Sequence, residues 1–268
     1  MTFPLFLFDP EVDETPINSD ELHSGWMITV PESVARHAFK AMRLEAGDQL
    51  QLSDGRGLRI LATVHDPQTR QVTVDEVGRE SAPVTRLALI QALAKSGRDE
   101  QAIETATEIG VDEVIPWQAN RSIVQWKAAK EAKAAAKWRQ VLAAATEQSR
   151  RAWMPQLDPK VTSRQVVELC RRASVHGDLV LVLHQDATDT WDDVERLVRD
   201  LADQSLKDGR SRNISVVVGP EGGISEEEVA SFVEAGAHAV VLGSNIMRAS
   251  TAGPVALTLL ARALGRFA

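Results

Sequence analysis

The sequence predicts an α/β protein in two parts: a small β-barrel or curled sheet over residues 1–80, and a parallel α/β domain over residues 81–268. Three observations carry this reading. Short runs of alternating apolar and polar residues, separated by turn signals, fill the first part, as half-buried strands require. Beyond "GRESAPVTR", residues 78–86, apolar runs alternate with helix-length amphipathic segments, the pattern of strands covered on both faces by helices. A chain of 268 residues that is 44% hydrophobic also holds enough apolar surface for two cores. The boundary is predicted near residues 78–83.

In the first part the strands are "PLFLFD", "GWMITV", "DQLQLSD", "GLRILATVH" and "RQVTVDEV", with "SDGRG" as the clearest turn. One helix interrupts them at "PESVARHAFKAMR", where Pro31 suits a first helical turn and Gly47 follows the stop. In the second part the strands are "LALIQAL", "DEVIPW", "DLVLVLH", "ISVVVG" and "AVVLG". A helix over 98–109 ends at Gly110, a favourable C-terminal glycine. The alanine-rich stretch "QWKAAKEAKAAAKWRQVLAAATEQSRR" is helical by propensity alone, with Lys130, Lys133 and Lys137 on one stripe near Trp126 and Trp138. That stripe reads either as a solvated basic face over packed tryptophan or as an RNA-facing surface.

Composition excludes several classes of function. The net charge of −8 argues against broad nucleic-acid binding, yet Arg121 to Arg151 holds eight Lys/Arg against two acids, a basic island. No apolar run approaches the ~18 residues of a membrane span. The start "MTFPLFLFDPEVDETP" lacks the basic flank and cleavage site of a leader, so a soluble intracellular protein is expected. The single cysteine, Cys170 in "VVELCRRA", is expected to be a buried helical residue. His23, His37, His65, His176, His184 and His238 form no pair at ligand spacing, and no metal site is expected.

Three strand ends carry the candidate chemistry. "VVVGPEGGISEEEV", residues 216–229, ends a buried strand in a glycine turn that resembles a phosphate cradle. Ser225 with Glu228 forms a capping box, however, and Glu226 to Glu228 put negative charge on the positive end of the helix, which repels phosphate and suits a neutral or cationic ligand. Neither G-x-G-x-x-G nor a Walker lysine is present. In "VVLGSNIMRASTAGPVALTLL", residues 240–260, a second strand ends at Leu242-Gly243, and Ser250 or Thr251 is expected to cap the last helix. Its one charge, Arg248, is either functional or ties down a loop carbonyl. The two loops are expected to be neighbours and to form one pocket beyond the carboxyl ends of the strands. A third strand end, "LVLHQDAT", would close that pocket from another side, and its His184 reads by itself as an ordinary half-buried histidine.

In this order, "HAFKAMRLEAGDQLQLSDGRG", "KSGRDEQAIETATEIGVDEVIPWQANRSIV", "KWRQVLAAATEQSRRAWMPQL", "LVLHQDA", "VVVGPEGGISEEEV" and "LGSNIMRASTA" span nearly the whole chain. The ordered set resembles the RsmE family of small-subunit ribosomal RNA uridine N3-methyltransferases, of the SPOUT class. The resemblance implies an N-terminal PUA-like β-barrel and a C-terminal SPOUT α/β domain closed by a trefoil knot, in a cytoplasmic homodimer acting on 16S ribosomal RNA within the small subunit. It implies S-adenosylmethionine as cofactor, held in a bent form by Leu183, His184, Gly219, Glu221, Gly222, Gly223, Leu242, Gly243, Ile246, Met247, Arg248 and Thr251. The sulfonium fits a loop that repels phosphate. Arg248 is the implied catalytic residue, holding the base and spreading the charge of deprotonated uracil; Arg36, His37, Lys40, Arg43, Arg121, Arg150 and Arg151 are the implied RNA contacts. The base that takes the N3 proton stays open between Glu147, Glu221 and water. Where the family commonly has an arginine and a glutamate, this chain has Asn245 and Ser250, so no role of that glutamate transfers. Another SPOUT activity, ribose 2′-O-methylation, and a non-catalytic RNA-binding assembly factor stand as the alternatives.

Overall fold

The computed structural model describes residues 3–13, 17 and 22–267. The chain divides into two compact units, residues 1–82 with 143–154, and residues 83–142 with 155–268.

The N-terminal unit contains β1 (Leu5–Leu7), β2 (Met27–Thr29), the short helix α1 (Glu32–Ala35), β3 (Gln49–Ser53), β4 (Leu58–Asp66) and β5 (Gln71–Arg79). The sheet order is β1-β3-β4-β5-β2, with β1 parallel to β3 and every other pair antiparallel. Period-two burial builds the core: Leu58, Ile60, Ala62 and Val64 of β4 face Leu50, Leu52, Val72 and Val74, and Phe6, Phe8, Val30 and Val34 pack with them. Two register shifts in the β4–β5 ladder bend the sheet around this core.

Pro31 precedes α1 as its N-cap, one position before the first turn that the sequence suggested. The helix then widens into a π-turn over Arg36–Ala41, closed by a bond from Met42 N to His37 O. Residues 143–154, assigned by sequence to the second part, are fastened into this unit. Ser53 Oγ donates to Ala152 O at 3.1 Å, and Trp153 Nε1 donates to Glu80 O at 2.9 Å. Residue 57 has to be glycine: at φ +100 an added Cβ would lie 2.5 Å from Glu80 O and 2.8 Å from the Trp153 ring.

The C-terminal unit begins with β6 (Thr85–Ala92), α2 (Arg98–Ile109) and β7 (Glu113–Gln118), followed by the long helix α3 (Ala128–Ser149), whose residues from 143 on count with the N-terminal unit. Next come β8 (Gln156–Leu157), β9 (Val161–Thr162), α4 (Ser163–His176), β10 (Leu179–Leu183), β11 (Asp189–Thr190) and α5 (Trp191–Asp208). The chain closes with β12 (Arg212–Val218), α6 (Glu226–Glu234), β13 (His238–Val241) and α7 (Ala249–Ala263). Strand order is β11-β13-β10-β12-β6-β7-β8 with β9 also on β7, and every pair is parallel. All carboxyl ends therefore share one edge of the sheet.

Helices cover both faces. On one, Ile90, Val180, Val182 and Val217 pack against Val166 and Cys170 of α4 and Phe232 of α6; burial pushes the Cys170 thiol up to about 11. On the other, α7 lies so close that a Cβ on Gly253 would sit 2.9 Å from Leu89 Cδ1 and 3.2 Å from Val218 Cγ2. The lysine stripe of α3 is exposed over packed rings: Trp126 and Trp138 are buried edge to face at 5.2 Å, and Lys137 pairs with Glu100 at 2.5 Å.

The start of α7 corrects one expectation. Neither Ser250 nor Thr251 is the cap. Thr251 N and Ala252 N both donate to Arg248 O, at 2.9 and 3.0 Å, so the helix closes on Arg248 and leaves Ser250 buried inside its first turn.

Candidate functional site

The carboxyl edge of the parallel sheet gathers the loops after β13, β10, β12, β6 and β7, in that spatial order. The loops after β12 and β13, read from sequence as neighbours, are separated by β10, which makes the turn at His184 the middle of the edge. Parallel partners are chosen by packing across helical crossovers, so adjacency in sequence does not give adjacency in the sheet. Leu183 and His184 are half-buried there; His184 N donates to Val240 O at 3.1 Å, and its Nδ1 accepts from Asp186 N at 3.3 Å.

The turn after β12 is tight. Gly223 N donates to Pro220 O at 2.9 Å with φ +73, and a Cβ on Gly219 would lie 2.6 Å from Ile224 Cγ1. Two carboxylates of the same motif then hold the neighbouring loops. Glu221 Oε1 accepts from Lys95 N at 3.0 Å and from Arg98 Nη1 at 3.4 Å, fixing the loop after β6.

Glu228, buried at 3% exposure, accepts from Asn120 N at 2.8 Å and Ser163 Oγ at 2.5 Å with one oxygen, and from Ser225 N and Oγ at 3.0 and 2.9 Å with the other. Burial pushes this carboxyl up, but the bonds from Ser163, Asn120 and Ser225 outweigh it and hold the group below its ordinary value. The capping box is present. Of the three glutamates, only Glu226 and Glu227 stay exposed at the helix end.

Arg121 lies over this turn, its Nη1 donating to Gly222 O at 3.3 Å and its Cβ set 3.2 Å from where a Cβ on Gly222 would be. The structure thus joins Arg121, taken from sequence as an RNA contact, to the glycine loop. In the loop after β13, Leu242 and Met247 are half-buried, and Ile246 is 80% exposed. Arg248 is exposed and makes no side-chain hydrogen bond or ion pair among the described residues, so it does not tie down a carbonyl. Thr251 is exposed on the first turn of α7.

The other sequence-chosen cations belong to the N-terminal unit. Arg36, His37 and Lys40 are exposed on the π-turn, and exposed Arg43 follows at φ +59. His37 Nδ1 lies 3.4 Å from Glu147 Oε2, and Lys40 lies 3.9 Å from Glu32. Arg150 and Arg151 fall in this unit as well, with Arg59 donating to Arg150 O at 3.0 Å. Both carboxylates considered as bases are engaged: Glu147 accepts from Leu7 N at 2.9 Å, and Glu221 holds Lys95 and Arg98.

Sequence reasoning gave no role to Lys95, Arg98, Asn120 or Ser163. Their partners lie more than 60 residues away, and no local pattern encodes such a pairing. Among the described residues no three His, Cys, Asp or Glu side chains converge as a metal site, and no helix is long and apolar enough to cross a membrane.

A family model described as an RNA methyltransferase domain matches residues 80–261, and one described as an RNA methyltransferase PUA domain matches residues 30–77. The chain is 39% identical over 236 residues to the ribosomal RNA small subunit methyltransferase E of Mycobacterium tuberculosis, covering 87% of this chain and 86% of that protein; the Mycobacterium bovis protein of the same name is equally similar. The crystal structure of a ribosomal RNA small subunit methyltransferase E from Neisseria gonorrhoeae bound to S-adenosyl methionine shares the fold, with a TM-score of 0.77 and 24% identity over 97% of this chain and 98% of that one.

Proposed function

The chain belongs to the RNA methyltransferase family, in the small-subunit methyltransferase E branch, and from that premise we propose that it carries the methyl group of S-adenosylmethionine to N3 of a uridine in 16S ribosomal RNA. Methylation of ribosomal RNA with that donor is the family's chemistry; the N3 position is our reading. The observation that carries it is Arg248, a cation without a partner among the described residues, at the end of the loop after β13.

The residues present suit this donor. Arg98, beside the glycine turn, is paired with Glu221, and Glu226 and Glu227 remain exposed at the head of α6, so a polyphosphate meets like charge there and a sulfonium does not. The backbone of 219–223 and of 242–247, with Leu183, His184 and Thr251, would hold the adenosyl part, and Leu242, Ile246 and Met247 offer apolar surface to the ring. When bound, S-adenosylmethionine supplies an electrophilic methyl group on sulfur.

The chain's own residues position and polarise. Holding N3 in line with the S–CH₃ bond is worth ~7–11 kcal/mol. Arg248 reaches the uracil carbonyl oxygens and stabilises the imide anion as the N3 proton leaves. Because Glu147 and Glu221 are engaged, water is the proton acceptor in this reading, with Arg248 lowering the uracil pKa. N3 is the pairing position, so the base has to be presented unpaired, at a cost of a few kcal/mol.

Arg36, His37, Lys40, Arg43, Arg150 and Arg151 of the N-terminal unit and Arg121 of the C-terminal unit would contact phosphate. A trefoil-threaded chain end, a homodimer through the C-terminal domain, the small ribosomal subunit as setting and the cytoplasm as location complete the reading. To test it, naked 16S RNA and isolated subunits are incubated with labelled S-adenosylmethionine, digested to nucleosides and resolved by mass spectrometry. N3-methyluridine is expected; ribose-methylated nucleosides, or no label in either substrate, would reject it.

A further inference from the structure

Gln91 is wholly buried, one residue before the end of β6. Its Nε2 donates to Ala92 O at 3.2 Å, which sets the amide's orientation because a carbonyl requires the N–H side. Its Oε1 has no hydrogen-bond partner among the described residues. A buried acceptor without a donor destabilises a fold that an apolar side chain of the same shape would serve better, so the group calls for an explanation beyond folding.

Its position supplies one. Gln91 is the register partner of Val218, the residue before Gly219. Alternation puts its side chain on the face of Leu89, the face that α7 covers at Gly253. Arg266, just past α7, donates to Gly110 O and Thr85 O at the opposite end of β6, so the first turn of α7 lies toward the Gln91 end. That turn is entered from Arg248 and has no side-chain cap.

We propose that Gln91 is a further cofactor-binding residue whose Oε1 accepts a hydrogen bond from the 6-amino group of the adenine ring; this rests on the reading of the site given above. The donor has to be neutral, because full burial and the positive end of α7 both penalise an ammonium group. The adenine amino group is neutral and planar.

The test titrates the wild type, Gln91→Leu and Gln91→Met calorimetrically with S-adenosylhomocysteine and with its analogue bearing hydrogen in place of the 6-amino group; unliganded melting is followed alongside. Both variants should melt at or above the wild-type temperature and bind S-adenosylhomocysteine about five- to tenfold more weakly, while all three proteins bind the analogue alike. Unchanged affinity for S-adenosylhomocysteine, an equal loss for the analogue, or a clear fall in melting temperature of both variants would each overturn the proposal. A wild type that binds neither ligand would instead reject the cofactor assignment on which it rests.

Discussion

Replacing Glu228 with glutamine keeps the side chain's length while removing its charge and half of its accepting capacity. The carboxylate is 3% exposed and receives four hydrogen bonds, two on each oxygen, from Asn120, Ser163 and Ser225. The glutamine carbonyl can retain one pair. The other pair then faces an amide NH₂: the Ser hydroxyls can turn to accept from it, but a backbone N–H of Ser225 or Asn120 cannot. Losing the charge on the retained bonds and stranding one buried donor costs about 2–4 kcal/mol in all.

Thermal unfolding of the variant at pH 7 should therefore show a midpoint lower by roughly 5–12 °C. The pH dependence has a definite sign. The folded value of Glu228 is depressed below 4.5, so its stabilisation is complete above that value and is lost as pH falls through the lower folded one. The gap between wild type and variant should thus be full at pH 7 and shrink in acid. A midpoint within 1 °C of wild type at pH 7 (where ~0.3 kcal/mol would be detectable), or a gap that does not narrow in acid, would refute the claim that this carboxylate holds the loops after β7 and β12.

Arg248→Ala should lower turnover by roughly 10²–10³, leave the melting temperature unchanged because the guanidinium has no partner among the described residues, and alter S-adenosylmethionine affinity by no more than a few-fold; parallel loss of cofactor binding would make Arg248 structural. Burial, together with a hydrogen bond to and repulsion from Asp158, pushes the Glu113 carboxyl up to about 7 from 4.5. Its stabilisation is full below 4.5 and is lost as pH rises through 7, so Glu113→Gln should melt higher than wild type at pH 8, with the difference gone by about pH 4; equal melting at both would contradict this. RNA affinity should fall steeply with salt, and Lys40→Ala should reduce the log–log slope by about 0.7–0.9 with folding unaffected, measured by titration at several ionic strengths; an unchanged slope would remove Lys40 from the RNA surface.

The elements are legible in the sequence because burial imposes its period: Leu58, Ile60, Ala62 and Val64 alternate inward, and Val216, Val217 and Val218 of "ISVVVG" are buried in succession because both its faces are covered. The helix over 98–109 is read to the residue because Gly110 supplies the left-handed stop. Strand order is not legible, since nothing local says that β10 lies between β12 and β13. The two roles hidden in one motif are equally silent. Glu227 and Glu228 are neighbours of identical chemistry, and only the long-range placement of Asn120 and Ser163 turns one into a buried anchor while the other stays in solvent. The orphaned oxygen of Gln91 is likewise a property of packing, invisible in an apolar run.

The most direct test of the central claim is a calorimetric titration of the protein with S-adenosylmethionine and, separately, with ATP. Saturable binding of the sulfonium donor with no detectable heat from the triphosphate is the predicted result, since the exposed Glu226 and Glu227 at the head of α6 repel phosphate. Binding of ATP in place of S-adenosylmethionine would contradict it.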